Sequence, residues 1–172
     1  MTLKLLSHLL VLALCFNCLN ASAEASAANE KIEKRLLRQI DEARMAYQLY
    51  TELFKAHPEI KIFKNIIAEQ KRHFSELVKY AKANYPDMRT GQLNGRFLVR
   101  ETEKLYKEWL KEGKVSSEKA VEAGIELEKM DIEGITNFLN LKPGSELADI
   151  LRRLKRGSKM HLAAFRRYKT RN

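Results

Sequence analysis

Apolar residues recur every three or four positions along nearly all of the chain beyond residue 28, and no segment shows the alternation of a half-buried strand. Helix-breaking residues separate the periodic stretches, and Pro58, Pro86 and Pro143 are the clearest of them. Five helices are expected, at about 29–55, 59–83, 97–112, 116–139 and from 145 onward. The sequence therefore predicts an all-α fold: a four-helix bundle with a long crossover and a small extra helix between the second and third main helices.

The first residues have the features of a secretory signal peptide. Lys4 gives one positive charge, and the apolar run from Leu5 to Phe16 that follows is too short to span a bilayer. Ala21-Ser22-Ala23 offers a small-x-small frame for cleavage, and Ala25-Ser26-Ala27 offers a second one. We therefore expect a signal peptide over residues 1–23, with cleavage as late as residue 27, and one periplasmic or secreted domain over residues 29–172.

Both cysteines, Cys15 and Cys18, lie within this predicted signal peptide. The mature domain would then contain no disulfide and no thiolate ligand, which excludes cysteine nucleophiles, iron–sulfur clusters and cysteine-bound zinc. Any metal site must use His, Asp and Glu as its strong ligands.

Positive charge is concentrated near the carboxyl end. The chain has a formal net charge of +10, and nine Lys or Arg residues follow Ser145 against only Glu146 and Asp149. Such a helix is typical either of a solvated surface or of a protein that meets anionic lipid or an acidic protein. Because export is predicted, nucleic acid is not expected as a partner.

Polar residues interrupt the apolar face of every main helix. They are Glu42 on the first helix, Gln70 and His73 on the second, Glu128 and Asp131 on the third, and Ser158 and His161 on the fourth; Glu69 lies further round the second helix. Burying a carboxylate or a lone imidazole is costly without a partner, and a shared metal ion would supply one. The alternative is a structural core in which each histidine is hydrogen-bonded and each Glu bends out to water.

The order of these residues resembles that of ferritin-like di-metal bundles. In those bundles two helices each give a Glu, and the other two each give a Glu-x-x-His pair. This chain offers Glu42, then Gln70-x-x-His73, then Glu128, then Ser158-x-x-His161.

Longer motifs point to one family. They are Glu42-Ala43-Arg44-Met45-Ala46 with Tyr50, Phe63-Lys64-Asn65-Ile66 before Gln70-x-x-His73, Gly124 before Leu127-Glu128-x-x-Asp131, and Gly157-Ser158-x-x-His161-Leu162-x-x-Phe165. The ordered series resembles DUF2202, an uncharacterised ferritin-like domain family, over nearly the whole predicted mature chain. That family also has Ser before its last His, but Gln70 stands where it typically has Glu.

The resemblance implies a ferritin-like fold with a metal centre. Its expected ligands are Glu42, His73, Glu128 and His161, with Glu69, Gln70 and Asp131 as further candidates. Because the amide of Gln70 is uncharged, these residues compensate one ion better than two. Iron is the first choice, zinc and manganese are the alternatives, and no organic cofactor is expected. An iron centre would oxidise Fe(II) with oxygen or peroxide.

Two other functions are compatible with the sequence. In the first, the domain is a metal-free interaction module in which His73, Gln70 and Glu128 form a buried hydrogen-bond network. Its basic last helix would then dock on an anionic envelope surface or an acidic protein. The second is a homo-oligomeric storage shell, for which the sequence identifies no assembly interface.

Overall fold

The computed structural model describes the backbone of residues 3–171 and the side chains of residue 24 and residues 26–171. The described residues form five helices and no strand: α1 (Leu3–Ala56), α2 (Lys61–Asn84), α3 (Arg100–Gly113), α4 (Ser117–Asn140) and α5 (Ser145–Lys169). The prediction of an all-α chain with one short third helix is confirmed. None of these helices, over the residues described, is both long and apolar enough to cross a membrane.

The helix boundaries follow local chemistry. Pro58 follows the end of α1, and the side chain of Ser116 caps α4 by accepting a hydrogen bond from the Lys119 amide at 3.2 Å. α1 begins well before residue 29, where its start was expected, because residues 3–56 contain neither Gly nor Pro and are rich in Ala and Leu. The predicted signal peptide, residues 1–23, lies outside the described side chains and stays a prediction.

The four long helices pack as a bundle. α1 packs on α2, α4 packs on α5, and weaker contacts join α1 to α4 and α2 to α5, so the order around the bundle is α1, α2, α5, α4. The short α3 packs against α1 and α4. It therefore covers the edge opposite the one formed by α2 and α5.

The core consists of two apolar clusters with polar side chains between them. One cluster surrounds the rings of Tyr50, Phe63 and Phe165, whose centroids are 5.4–5.6 Å apart. The other contains Leu36 and Phe138 among its buried residues. On α2, α4 and α5 the buried polar residues fall between the segments that feed the two clusters, which places a polar layer at mid-bundle.

A buried ion pair on α1 fastens the crossover between α2 and α3. The guanidinium of Arg44 pairs with Asp41 and donates to the backbone carbonyl oxygens of Thr90 and Arg96. One oxygen of Asp41 accepts from both backbone amides of 98–99 at 2.6 Å, just before α3 begins. Free backbone donors at a helix start need such a partner, so this carboxylate fixes where α3 begins.

Candidate metal centre

The polar layer divides into two clusters. The histidine cluster contains Glu69, Gln70, His73, Glu128 and His161, and the arginine cluster contains Arg35, Arg38, Gln39, Glu42 and Asp131. Every polar residue that was predicted to interrupt an apolar helix face is buried: Glu42, Gln70, His73, Glu128, Asp131, Ser158 and His161. Glu69 reaches the histidine cluster from the rim, with 25% of its side chain exposed.

His161 lies between the two carboxylates of its cluster. Its Nδ1 is 3.2 Å from Oε1 of Glu128, and its Nε2 is 2.9 Å from Oε2 of Glu69. Burial lowers the pKa of His161, but the hydrogen bonds and charges of Glu128 and Glu69 outweigh burial and raise the pKa above its ordinary value. An imidazolium at this position donates one hydrogen bond to each carboxylate.

Gln70 orients His73. A carboxylate only accepts, so the Gln70 group 3.3 Å from Oε1 of Glu128 is the donating Nε2. Oε1 of the same amide then faces Nδ1 of His73 at 3.3 Å, so Nδ1 carries the proton. In neutral His73 this leaves Nε2 unprotonated.

The unprotonated Nε2 of His73 faces a second acceptor. It lies 3.6 Å from Oε1 of Glu69. Burial lowers the pKa of His73 to about 4, although the Glu69 carboxylate opposes the shift, so the ring is neutral at pH 7. The same Glu69 oxygen accepts a hydrogen bond from the guanidinium of Arg72 at 3.0 Å, so the lone pair of His73 faces an oxygen that already has one cationic partner.

Glu128 is fully buried with one oxygen satisfied and the other not. Its Oε1 accepts from the hydroxyl of Tyr50 at 2.8 Å and from Gln70. Its Oε2 has no hydrogen-bond partner among the described residues. A buried carboxylate oxygen without a partner carries a desolvation cost that a cation would remove.

Gly157 of α5 leaves space beside the facing lone pairs. A Cβ at this position would lie 3.0 Å from Oε1 of Glu69, 3.0 Å from Cε1 of His73 and 3.2 Å from its Nε2. Gly inside a helix costs about 1 kcal/mol relative to Ala, so the missing side chain has a local price in stability. The absence of a side chain at Gly157 leaves space next to Glu69 and His73, the two candidate ligands.

The arginine cluster holds the other two candidate carboxylates. Both terminal nitrogens of Arg35 lie 3.1 Å from Oε2 of Glu42, and Nε of Arg38 lies 3.1 Å from its Oε1. Gln39 accepts from Arg35 at 3.0 Å and donates to Oδ1 of Asp131 at 2.8 Å. Each oxygen of Glu42 thus has a cationic partner from its own helix.

Asp131 is bound from a second side by Ser158, whose hydroxyl donates to Oδ2. Burial and the charge of Glu128 raise the pKa of Asp131 to about 6, while the hydrogen bonds from Ser158 and Gln39 oppose the shift. Ser158 therefore serves this carboxylate in the place where the di-metal template has a Glu.

Sequence reasoning missed Arg35, Arg38 and Gln39. Arg35 lies seven residues before Glu42 and Arg38 four, so helical spacing puts both on its face. That signal was available, but a long basic side chain at such a position can also extend to solvent.

The expected ligands are not gathered in one place. The structure brings His73, Glu128 and His161 together with Glu69 and Gln70, and it pairs Glu42 and Asp131 with the arginine cluster. Among the described side chains, no group of three or more His, Cys, Asp or Glu residues is already arranged to hold a metal ion. The ligand set stays a prediction.

Comparison with known proteins identifies the family. A family model described as "Uncharacterized protein domain (DUF2202)" matches residues 33–171. The chain belongs to this family. The DUF2202 match includes every residue of both polar clusters.

A curated relative and a solved structure agree with this assignment. The uncharacterized protein MJ0754 of Methanocaldococcus jannaschii is 28% identical over 139 residues, which are 80% of this chain and 74% of that protein. The crystal structure of hypothetical protein MJ0754 from Methanococcus jannaschii DSM 2661 is similar with a TM-score of 0.71 and 25% identity, covering 79% of this chain and 78% of that chain. The predicted DUF2202 membership is confirmed, and these relatives name no ligand or activity.

Proposed function

We propose that this protein is an exported, ferritin-like bundle that binds one divalent metal ion in the histidine cluster. The ligands would be Glu69, His73, Glu128 and His161, and Gln70 would offer a neutral oxygen. Iron is the first choice, with zinc and manganese as alternatives, because imidazole and carboxylate groups suit all three. The observation that carries the proposal is the buried Oε2 of Glu128, which has no hydrogen-bond partner among the described residues although Glu128 lies beside His161.

Charge compensation favours one ion over two. Arg35 and Arg38 already balance Glu42, and Arg35 also reaches Gln39, which binds Asp131. A second cation on that side would meet an arginine instead of a free carboxylate. In the histidine cluster Arg72 pairs with Glu69, and His161 is the other cation. A divalent ion that displaced the His161 proton would meet two carboxylates and the unpartnered oxygen of Glu128, so the cluster suits one ion and not two.

The helix arrangement supports the ferritin-like part of the proposal. Four long helices place Glu42, His73, Glu128 and His161 in one mid-bundle layer, in the chain order of the ferritin-like template. Export rests on Lys4, the apolar run that follows it and the small-x-small frames.

The surrounding residues would prepare the site. Gln70 sets the tautomer of His73, because its carbonyl oxygen accepts from Nδ1. Tyr50 donates to one oxygen of Glu128 and leaves the other oxygen available. A bound iron ion would supply one-electron chemistry toward oxygen or peroxide. His161 would have to release a proton before it could act as a ligand, so binding should weaken as the pH falls.

The test is metal content after anaerobic loading with Fe(II) and, separately, with Zn(II). One equivalent per chain is expected, and His73→Ala and His161→Ala should each weaken binding at least about tenfold, because loss of even a residue that only supports a ligand costs about that much. His57→Ala is the matched control, because His57 lies at the α1–α2 turn and contacts the Gly113 carbonyl oxygen. Absence of stoichiometric metal in both loadings, or binding that survives both substitutions, would contradict the proposal.

A steric variant tests the same site in case the histidine variants do not fold. Gly157→Ala keeps every ligand and restores an ordinary helix residue, but its Cβ would press on Glu69 and His73. Metal affinity should fall while helical content is retained. Gly144→Ala is the control, because a Cβ there meets nothing within 4 Å.

The metal-free alternative also has a specific observation in its favour. Gln70 contacts both Glu128 and His73, as the predicted hydrogen-bond network requires. In that case the metal-free protein would be at its full stability, and neither Fe(II) nor Zn(II) would raise its unfolding temperature.

A further inference from the structure

The outer side of α5 carries positive charge that the rest of the described chain does not neutralise. Residues 150–169 contain eight Lys or Arg residues and no Asp or Glu. Ion pairs to acidic residues engage Arg152, Arg153 and Lys169. Within the described residues no ion pair engages the other five, which we call the basic ridge: Lys155, Arg156, Lys159, Arg166 and Arg167.

The basic ridge occupies one side of the helix. At about 100° per residue, its five members fall within an arc of roughly 120°, opposite the buried face that carries Leu154, His161 and Phe165. Like charges at this spacing repel one another along a helix. Arg166 and Arg167 compensate the helix dipole in the last turn, but Lys155, Arg156 and Lys159 lie too far from the end to do so.

Apolar surface lies among these charges. Met160, beside Lys159, is 61% exposed, and it is one of the few large apolar side chains so exposed in the described residues. Leu139 of α4 lines a groove of about 510 Å³ together with Lys155, Arg156 and Lys159, and the ion-paired residues Asp149, Arg152 and Arg153 complete its lining. A row of cations with an exposed thioether and a leucine at its side matches an amphiphilic surface better than a purely polar polyanion.

We propose that the basic ridge docks the protein on a membrane surface rich in anionic phospholipid headgroups. The cations would lie over the lipid phosphates, and Met160 would enter the headgroup region. This proposal is independent of metal binding, because the ridge lies on the opposite side of α5 from His161.

The experiment is vesicle co-sedimentation of the full chain with phosphatidylglycerol–phosphatidylcholine vesicles and with phosphatidylcholine alone. Binding to the anionic vesicles should exceed binding to phosphatidylcholine alone, which measures the contribution of the apolar residues 5–16. This excess should weaken steeply between about 50 and 300 mM salt. The triple variant Lys155→Gln, Arg156→Gln, Lys159→Gln should bind at least about tenfold more weakly. All proteins compared carry the same residues 1–28, so any contribution of that segment cancels.

The matched control changes three cations on α3: Arg100→Gln, Lys104→Gln and Lys111→Gln. All three are exposed and lie on the helix that covers the edge opposite α2 and α5. This variant has the same net charge as the ridge variant and should bind within about twofold of the unmodified chain, because charges remote from the membrane are screened. Equal loss in both variants would show an effect of net charge alone and overturn the proposal.

A second pair of measurements separates lipid from other polyanions. Met160→Ser should weaken vesicle binding and leave binding to inorganic polyphosphate unchanged, because only the membrane offers an apolar environment. Tight binding to polyphosphate or DNA without binding to anionic vesicles would overturn the lipid assignment.

Discussion

The arginine cluster and the histidine cluster share one layer of the bundle, and each contains two carboxylates. In the arginine cluster, Glu42 has a cationic partner on each oxygen and Asp131 has a hydrogen-bond donor on each oxygen. In the histidine cluster, one oxygen of Glu128 has no partner, and His73 turns a lone pair toward Glu69. Both clusters contain cations, since Arg72 and His161 pair with the two oxygens of Glu69. The two clusters differ in that every carboxylate oxygen of the arginine cluster has a donor, whereas Oε2 of Glu128 in the histidine cluster has none among the described residues.

The comparison also bears on the departure at Gln70. Among ferritin-like bundles a second metal ion would balance the additional carboxylates. In this chain the arginine cluster makes that ion unnecessary, and an uncharged Gln70 lowers the demand for positive charge further.

The largest effect is expected from Arg35→Met. This change leaves Glu42 buried with only Arg38, which is half-exposed, as a cationic partner. Breaking a buried pair from one side should lower the free energy of unfolding by about 3–5 kcal/mol, measured in urea without metal. Arg38→Met, at the exposed edge of the cluster, should lower the free energy of unfolding by about 1 kcal/mol or less. Equal effects of the two changes would show that the arginine cluster is not compensated as described.

The sequence could predict which polar residues are buried in this layer, but not which partners they have. Spacing alone predicted five helices, their order and the burial of Glu42, Gln70, Glu128 and Ser158, because each of these follows from the backbone period. Family motifs then predicted membership in DUF2202, which the match over residues 33–171 confirms.

The partners of these side chains could not be predicted in the same way. The two oxygens of Glu42 bind arginines one and two turns earlier on the same helix, but a flexible guanidinium could equally have reached water. The orientation of the Gln70 amide depends on Glu128 from another helix. A helical projection contains no information on such contacts between helices, and it therefore left open whether Glu69 or Gln70 faces the centre. Both contact it, Gln70 from inside and Glu69 from the rim.

The next largest effect is expected from Gln70→Glu. The new carboxylate would lie beside Glu128 and lose the amide donor, which should destabilise the metal-free protein by about 2 kcal/mol. The added negative charge should also tighten metal binding, so the stabilisation gained on loading should exceed that of the unmodified chain. Urea unfolding with and without Zn(II) measures both effects.

The matched control for Gln70→Glu lies in the arginine cluster. Gln39→Glu also places a carboxylate beside a buried acid, Asp131, but it does so next to Arg35. It should change stability without any gain in metal affinity, because the arginines occupy that side. A gain in metal affinity from Gln39→Glu would mean that the arginine cluster also takes part in metal binding, which its contacts do not indicate.

The last effect is a pH dependence, in which comparison with His73→Gln separates the contribution of His73 from that of Asp131, whose pKa is also shifted, to about 6. The pKa of His73 is lowered to about 4 in the folded protein, against about 6.5 in an unfolded chain. Between these values the unfolded state binds more protons than the folded state, so the contribution of His73 to stability is fully present above pH 6.5 and is lost as the pH falls toward 4. From pH 7 to pH 5, the metal-free protein should lose about 2 kcal/mol of stability relative to His73→Gln.

The contribution of His161 to stability has the opposite sign: its raised pKa gives stability that is present below pH 6.5 and lost at higher pH. A difference between the unmodified chain and His73→Gln that stays constant from pH 7 to pH 5 would mean that folding does not lower the pKa of His73. The ring would then gain a proton below about pH 6.5, and the site would lose in mild acid the free lone pair that distinguishes it from the arginine cluster.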